Sequence, residues 1–148
     1  MPHVPELART LGLSPHPAGG WYRRIYTSPV PVRHPAGGGS RASATMIHYL
    51  LAPGGRNEWH NVASDEVWFW QHGGPLRLHT SPPGPAPTTV TEHLLTPDPP
   101  PGADPCFHLA VPAGSWQRAE PAADRDVLVS CVVTPGFDFA DFALLSRS

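Results

Sequence analysis

The chain has 148 residues, which suits one domain and leaves little room for two. Its 21 prolines and 14 glycines make up just under a quarter of it, about twice the average share; that works against long helices, since proline costs about 3 kcal/mol inside one. An apolar content of 40% with five tryptophans argues against disorder, and a net charge of −2 with arginine as the sole basic residue leaves no basic face for nucleic acid or an anionic membrane.

In chain order, the N-terminal stretch Met1–Thr10 has neither the charge nor the apolar run of a signal peptide. No later segment reaches the roughly 20 apolar residues of a membrane span. Cys106 and Cys131 are expected to stay reduced, and the expected compartment is the cytoplasm. One helix is predicted at Val4–Leu11, with Pro5 in its first turn and Leu7 and Leu11 four apart on one face. The apolar period then shortens to two. Strands are predicted at Trp21–Tyr26, Thr45–Leu51, Glu58–Val62, Glu66–His72, Leu76–Thr80, Thr89–Leu95, Phe107–Val111, Trp116–Arg118 and Val127–Val133, with a short last one within Phe139–Leu145. Three Pro/Gly-rich segments, Val32–Ser40, Ser81–Thr88 and Thr96–Pro105, read as exposed loops. Many short strands at this spacing form a sandwich or barrel, so the fold class is all-β, in one domain over residues 1–148 with a core of about residues 11–145.

The densest stretch runs from Gly54 to Gly73 and includes Glu58, His60, Val62, Glu66, Trp68, Trp70 and His72. On regular strands alternate side chains share a face. Glu58, His60 and Val62 then point one way, and Glu66, Trp68, Trp70 and His72 do the same on the next strand.

Gly54, His60, Glu66 and Gly73 fall on the spacing of the first motif of the cupin superfamily, with Val62 at that motif's second histidine. Pro112-Ala113-Gly114-Ser115-Trp116-Gln117 resembles the second motif, with Gln117 at its histidine. His16-Pro17-Ala18-Gly19-Gly20-Trp21-Tyr22-Arg23, Ser64-Asp65-Glu66-Val67-Trp68 and Thr134-Pro135-Gly136-Phe137-Asp138-Phe139 are similar to one branch, cupin 5, the family of unknown function 985. The resemblance implies a double-stranded β-helix, the cupin jelly-roll barrel, with His60, Glu66 and Gln117 converging inside it. Glu58 joins them, and Trp68 and Trp70 form walls, although both indoles also suit plain core packing.

Metal-binding cupins offer three histidines and a glutamate. Here Val62 has no donor atom and Gln117 offers a neutral amide, so the expectation is no cofactor, or a weakly bound divalent metal held by His60, Glu66 and Gln117. Without metal, His60 is the expected general acid/base, with Glu66 and Glu58 as its electrostatic partners, Gln117 hydrogen-bonding the substrate, and Trp68, Trp70 and Val62 lining the ligand. That points to an epimerase, isomerase or lyase acting on a small polar or sugar-like molecule. A non-catalytic binding module and a metal-dependent oxygenase or lyase are the alternatives. A homodimer is expected through the strand at Trp21–Tyr26. Outside this set, His16 reads as a turn residue, Arg23 and Arg24 face opposite ways, and Pro135–Phe139 reads as a structural closing turn.

Overall fold

The structure of the protein, a computed structural model, describes residues 3–145. Helix α1 (Glu6–Leu11) starts later than predicted because Pro5, at ψ 142°, stands outside the helical region as its N-cap; Gly12 ends the helix in the left-handed region at φ 68°. The strands are β1 (Ser14–Pro15), β2 (Trp21–Thr27), β3 (Pro31–Arg33), β4 (Ser40–Ala42), β5 (Thr45–Leu51), β6 (Asn57–Val62), β7 (Asp65–Gly73), β8 (Leu76–Ser81), β9 (Thr91–Leu95), β10 (His108–Val111), β11 (Trp116–Pro121), β12 (Val127–Thr134) and β13 (Phe142–Leu144). They form a six-stranded sheet in the order β1-β2-β5-β12-β7-β10, a five-stranded sheet in the order β13-β6-β11-β8-β9, and the small hairpin β3-β4. Every pairing is antiparallel.

The main core lies between the two large sheets. Tyr49, Leu51, Trp68, Leu76, Leu78, Leu95, Val127, Val129 and Cys131 fill it. The alternation of β5 and β12 sends Leu50 and Leu128 to the other face, where α1 covers them with Ala8, Leu7 and Leu11. This is the predicted all-β jelly roll with its N-terminal helix. No helix among the described residues is long and apolar enough to cross a membrane.

Two kinds of difference from the sequence reading matter. Strands β1, β3 and β4 are too short to show any alternation, and β3 and β4 flank the Pro/Gly-rich turn inside a segment read as loop. An ion pair between Arg41 and Asp141, at 2.9 Å, ties that hairpin to the C-terminal segment. The second difference is parity. On β11 two steps separate Gln117 from Ala119, while on β6 three separate His60 from Asn57, so β6 carries one extra residue at 58–59. The bulge keeps Asn57, His60 and Val62 inward and removes Glu58 from that face. A second bulge in β2, between Arg24 and Tyr26, reorients the strand beside the cavity.

Gly73 and Gly54 share positive φ, 99° and 79°, but differ in space. A Cβ at Gly73 would stand 2.0 Å from the carbonyl oxygen of Asp126, whereas one at Gly54 would meet nothing within 4 Å. Gly54→Ala should therefore cost about 1–2 kcal/mol, the backbone strain alone. Gly73→Ala should cost about 3 kcal/mol or more, because strand β12 must also shift. Urea denaturation of the two variants checks the difference.

Candidate functional site

A cavity of about 580 Å³ opens between the sheets on the side of β2, β6 and the C-terminal segment. His16, His60, Val62, Glu66 and Cys131 line its inner part, Tyr22, Ile47 and Phe142 its walls, and Arg23, Arg24 and Asp138 its rim. Exposure rises from the inner part to the rim. Arg23 and Arg24 are exposed and His16 half-buried, while His60 and Glu66 retain 4% and 7% of their surface.

Glu66 enters the cavity from the start of β7, after Asp65 accepts the backbone N–H of Ala113 at 2.8 Å and fixes the approach to β11. Its oxygen accepts the Gln117 amide N–H at 2.7 Å, and Gln117 in turn accepts the Trp68 indole N–H at 2.8 Å. An indole can only donate, so the amide oxygen must face Trp68 and the amide nitrogen must face Glu66. Gln117 is thus a fixed link, buried to 1% exposure. The Cys131 thiol also bonds Glu66. Burial outweighs these neutral donors and pushes the Glu66 carboxyl up to about 7.

His60 lies across the cavity on β6. Its Nδ1 sits 2.7 Å from the carbonyl oxygen of Glu58. Burial pulls its pKa down to about 4, against the raising effect of that carbonyl. The carboxylate expected to orient the ring is not the group that does so. Glu58 acts through its backbone, while its side chain, displaced by the β6 bulge, takes the Arg56 Nε–H at 3.1 Å on a partly exposed surface.

The remaining predicted residues separate. Val62 lines the cavity. Trp68 lies behind Gln117, edge-on to Tyr49 at 5.9 Å, and touches the site only through the amide. Trp70 is four residues along β7 from Glu66, about 13 Å at the usual rise, where it packs against the core and donates to the Gly74 carbonyl at 2.9 Å. It walls the core and not the cavity.

Several residues were missed. His16 stands in the turn that Gly19 and Gly20 close, as read, but the turn aims its ring into the cavity. Burial, then the proximity of His60, pulls its pKa down to about 4. Phe137, Phe139 and Phe142 pack edge-to-face on one another at 4.9 to 6.1 Å and close one side of the cavity, so the supposed closing turn is a wall. Arg23 and Arg24 both reach the rim, held by the carbonyls of Leu11 and Phe137. The family motifs at His16–Arg23 and Thr134–Phe139 were the available signals for His16, Arg23, Phe137 and Phe139.

The family model for the cupin superfamily (DUF985) matches residues 5–145. The chain belongs to this cupin family. Among solved structures it is similar to a protein from Shewanella oneidensis, with 31% identity and a TM-score of 0.82 over 99% of this chain and 86% of that one. A hypothetical protein from Leishmania major gives 29% identity and a TM-score of 0.79 over 92% and 83%. An oxalate decarboxylase from Lactobacillus farciminis, at 16% identity and a TM-score of 0.59 over 92% of this chain and 34% of that one, shares the fold alone. Comparison with curated proteins gave no match.

The divalent metal of many cupins finds a poor donor set in this one. Val62 has no donor, the oxygen of Gln117 is engaged by Trp68, and among the described residues no three His, Cys, Asp or Glu side chains are grouped to hold an ion. The residues present do not fit the metal.

The shifts set the pH dependence of stability. Between about pH 4 and 6.5 the unfolded chain binds protons that His16 and His60 refuse when folded, so both make stability rise with pH. Glu66 acts oppositely. From pH 4.5 to about 7 the folded carboxyl holds a proton the unfolded chain has lost, so stability falls with pH through that window. Glu66→Gln should therefore stabilise the protein at pH 8 by an amount of order 1 kcal/mol, about 2–4 °C in Tm, and the gain should vanish at pH 4.5. Thermal scans at the two pH values check it.

Proposed function

We propose that this cupin is a metal-independent proton-transfer enzyme of the epimerase, isomerase or lyase type, acting on a small polar or sugar-like metabolite held in the cavity. The observation that carries the reading is one cavity shared by a carboxyl group poised at about 7 and two imidazoles held neutral. A proton carrier works best when its pKa is near the working pH. Burial moves the carboxyl toward that value and the imidazoles away from it. Glu66 is thus assigned the proton carrier, and His60, first expected in that role, a neutral hydrogen-bonding partner. Gln117 and Trp68 hold Glu66 in place and do not touch the ligand, and Val62 shapes the floor.

Removal of a proton beside a carbonyl group is the step this set suits, since it needs one base, neutral donors and a water-poor space. Exchange of such protons in D2O, followed by proton NMR over small hydroxyaldehydes and hydroxyketones, should reveal turnover with an apparent pKa near 7. Glu66→Gln should lower it by roughly 10²–10⁴-fold. Exchange insensitive to Glu66→Gln would overturn the assignment, and saturable binding without exchange would leave a ligand-binding cupin.

Two further features complete the proposal. Free Cys106 and Cys131 suit a cytoplasmic setting. Strand β1 covers only Trp21 and Tyr22 of β2, and beyond them Ile25 and Tyr26 stand 40% and 51% exposed, which supports a homodimer joined along this edge. Light scattering on the eluted protein should give twice the chain mass of 15.9 kDa, and Tyr26→Lys should return it to one.

A further inference from the structure

The two imidazoles of the cavity are held by backbone groups whose roles admit no choice. The carbonyl of Glu58 can only accept, so Nδ1 of His60 carries a hydrogen and Nε2 carries the lone pair. The backbone N–H of Ala18 can only donate, at 3.0 Å, so Nδ1 of His16 carries the lone pair and Nε2 carries the hydrogen. Neither Nε2 has a hydrogen-bond partner among the described residues, and neither is among the buried polar atoms closed off from open space. Both rings pack against Phe142, at 6.0 and 5.5 Å, and both line the cavity. One imidazole thus offers an N–H and its neighbour a lone pair to the same volume.

We infer that His16 and His60 form a matched donor–acceptor pair that recognises an uncharged α-hydroxycarbonyl group, the carbonyl oxygen accepting from Nε2–H of His16 and the hydroxyl donating to Nε2 of His60. A carboxylate fits this pair poorly, because it has no hydrogen to give His60. A cationic pair of histidines would suit it, but protonating His16 also breaks the bond from Ala18. Arg23 and Arg24 are at the exposed rim, where a charged end of a longer ligand would meet them without reaching the imidazoles.

The inference deepens the proton-transfer reading and rests on it for the reaction. Glu66 as carboxylate takes the proton from the hydroxyl-bearing carbon. The C–H electron pair becomes the C=C bond of an enediolate, and the carbonyl π pair moves onto its oxygen, which the His16 N–H stabilises. The proton on Glu66, or a deuteron exchanged for it, then returns to the same carbon as the electrons move back, which restores the starting compound and leaves isotope exchange as the event the assay reads. Nothing else is consumed.

The test uses the full chain with ¹⁵N-labelled histidine and hydroxyacetone as probe. At pH 7, long-range ¹H–¹⁵N correlation should find His16 as the Nε2–H tautomer and His60 as the Nδ1–H tautomer, and hydroxyacetone should shift Nε2 of both. Acetone should shift His16 alone, and glycolate should move neither ring to the imidazolium position. His16→Asn and His60→Asn each replace Nδ1 with an atom able to keep the backbone bond, and each should weaken hydroxyacetone binding about tenfold. Reversed tautomers in the parent protein, or glycolate converting both rings to imidazolium, would overturn the inference without any variant having to fold. The two readings fail separately. Correct tautomers with a hydroxyacetone response but no deuterium exchange would remove the proton-transfer reading alone, whereas exchange with reversed tautomers would remove this pairing alone.

Discussion

The carboxyl of Glu66 is withdrawn from water into a space where its hydrogen-bond donors, the Gln117 amide and the Cys131 thiol, are neutral. Desolvating a carboxylate costs several kcal/mol unless a charge meets it, and two neutral bonds return only part of that. The group settles this by holding its proton to about neutral pH. Much of the site is arranged around that imbalance. Gln117 is immobilised because both ends of its amide are spoken for, and Trp68 is committed to the core with its one polar atom satisfied. Cys131 is kept a thiol by the same burial and by the carboxyl beside it.

Local irregularity in the strands decides which side chains share this space. A regular β6 would place Glu58 beside His60 and give the imidazole an anionic neighbour, raising its pKa. The extra residue at 58–59 turns the carboxylate outward and leaves the backbone carbonyl in its place. A carbonyl orients the ring as a carboxylate would but brings no net charge, so desolvation prevails and the ring stays neutral. One inserted residue thus separates a charged pair of the triad kind from a neutral hydrogen-bonding site. Re-aiming a side chain in this way is what a bulge does.

The same point marks how far the sequence could be read. The order of the main strands, the core and the inward direction of His60, Val62 and Glu66 were legible because hydrophobic alternation and motif spacing report on regular strands. Glu58 and Trp70 were misplaced for separate reasons. Parity counted along the chain ignores a bulge, which displaced Glu58. For Trp70 parity held, but four residues along β7 from Glu66 it stands past the residues that line the cavity. His16 and Phe142 come from opposite ends of the chain and meet through the pairing of β13 with β6, a long-range contact with no local pattern. Gln117 was found at its motif position, but only the folded chain shows that both ends of its amide are taken by Trp68 and Glu66.

The two departures from the metal-binding cupin pattern then act together. In the pattern that the family resemblance implies, histidines and a glutamate surround a cation, and the cation stabilises the carboxylate. Replacing one histidine by Val62 and another by Gln117 removes donors from the cation's place, but it also removes what would keep the glutamate ionised. Had only Val62 been exchanged, a histidine at 117 could take a proton and pair with Glu66 as an ion pair, holding its pKa low. A glutamine cannot be protonated there, and its oxygen is already given to Trp68. Once both positions are neutral, a raised carboxyl pKa follows from burial alone. The loss of the ligand set and the carboxyl that holds its proton to near neutral pH are therefore consequences of the same pair of residues.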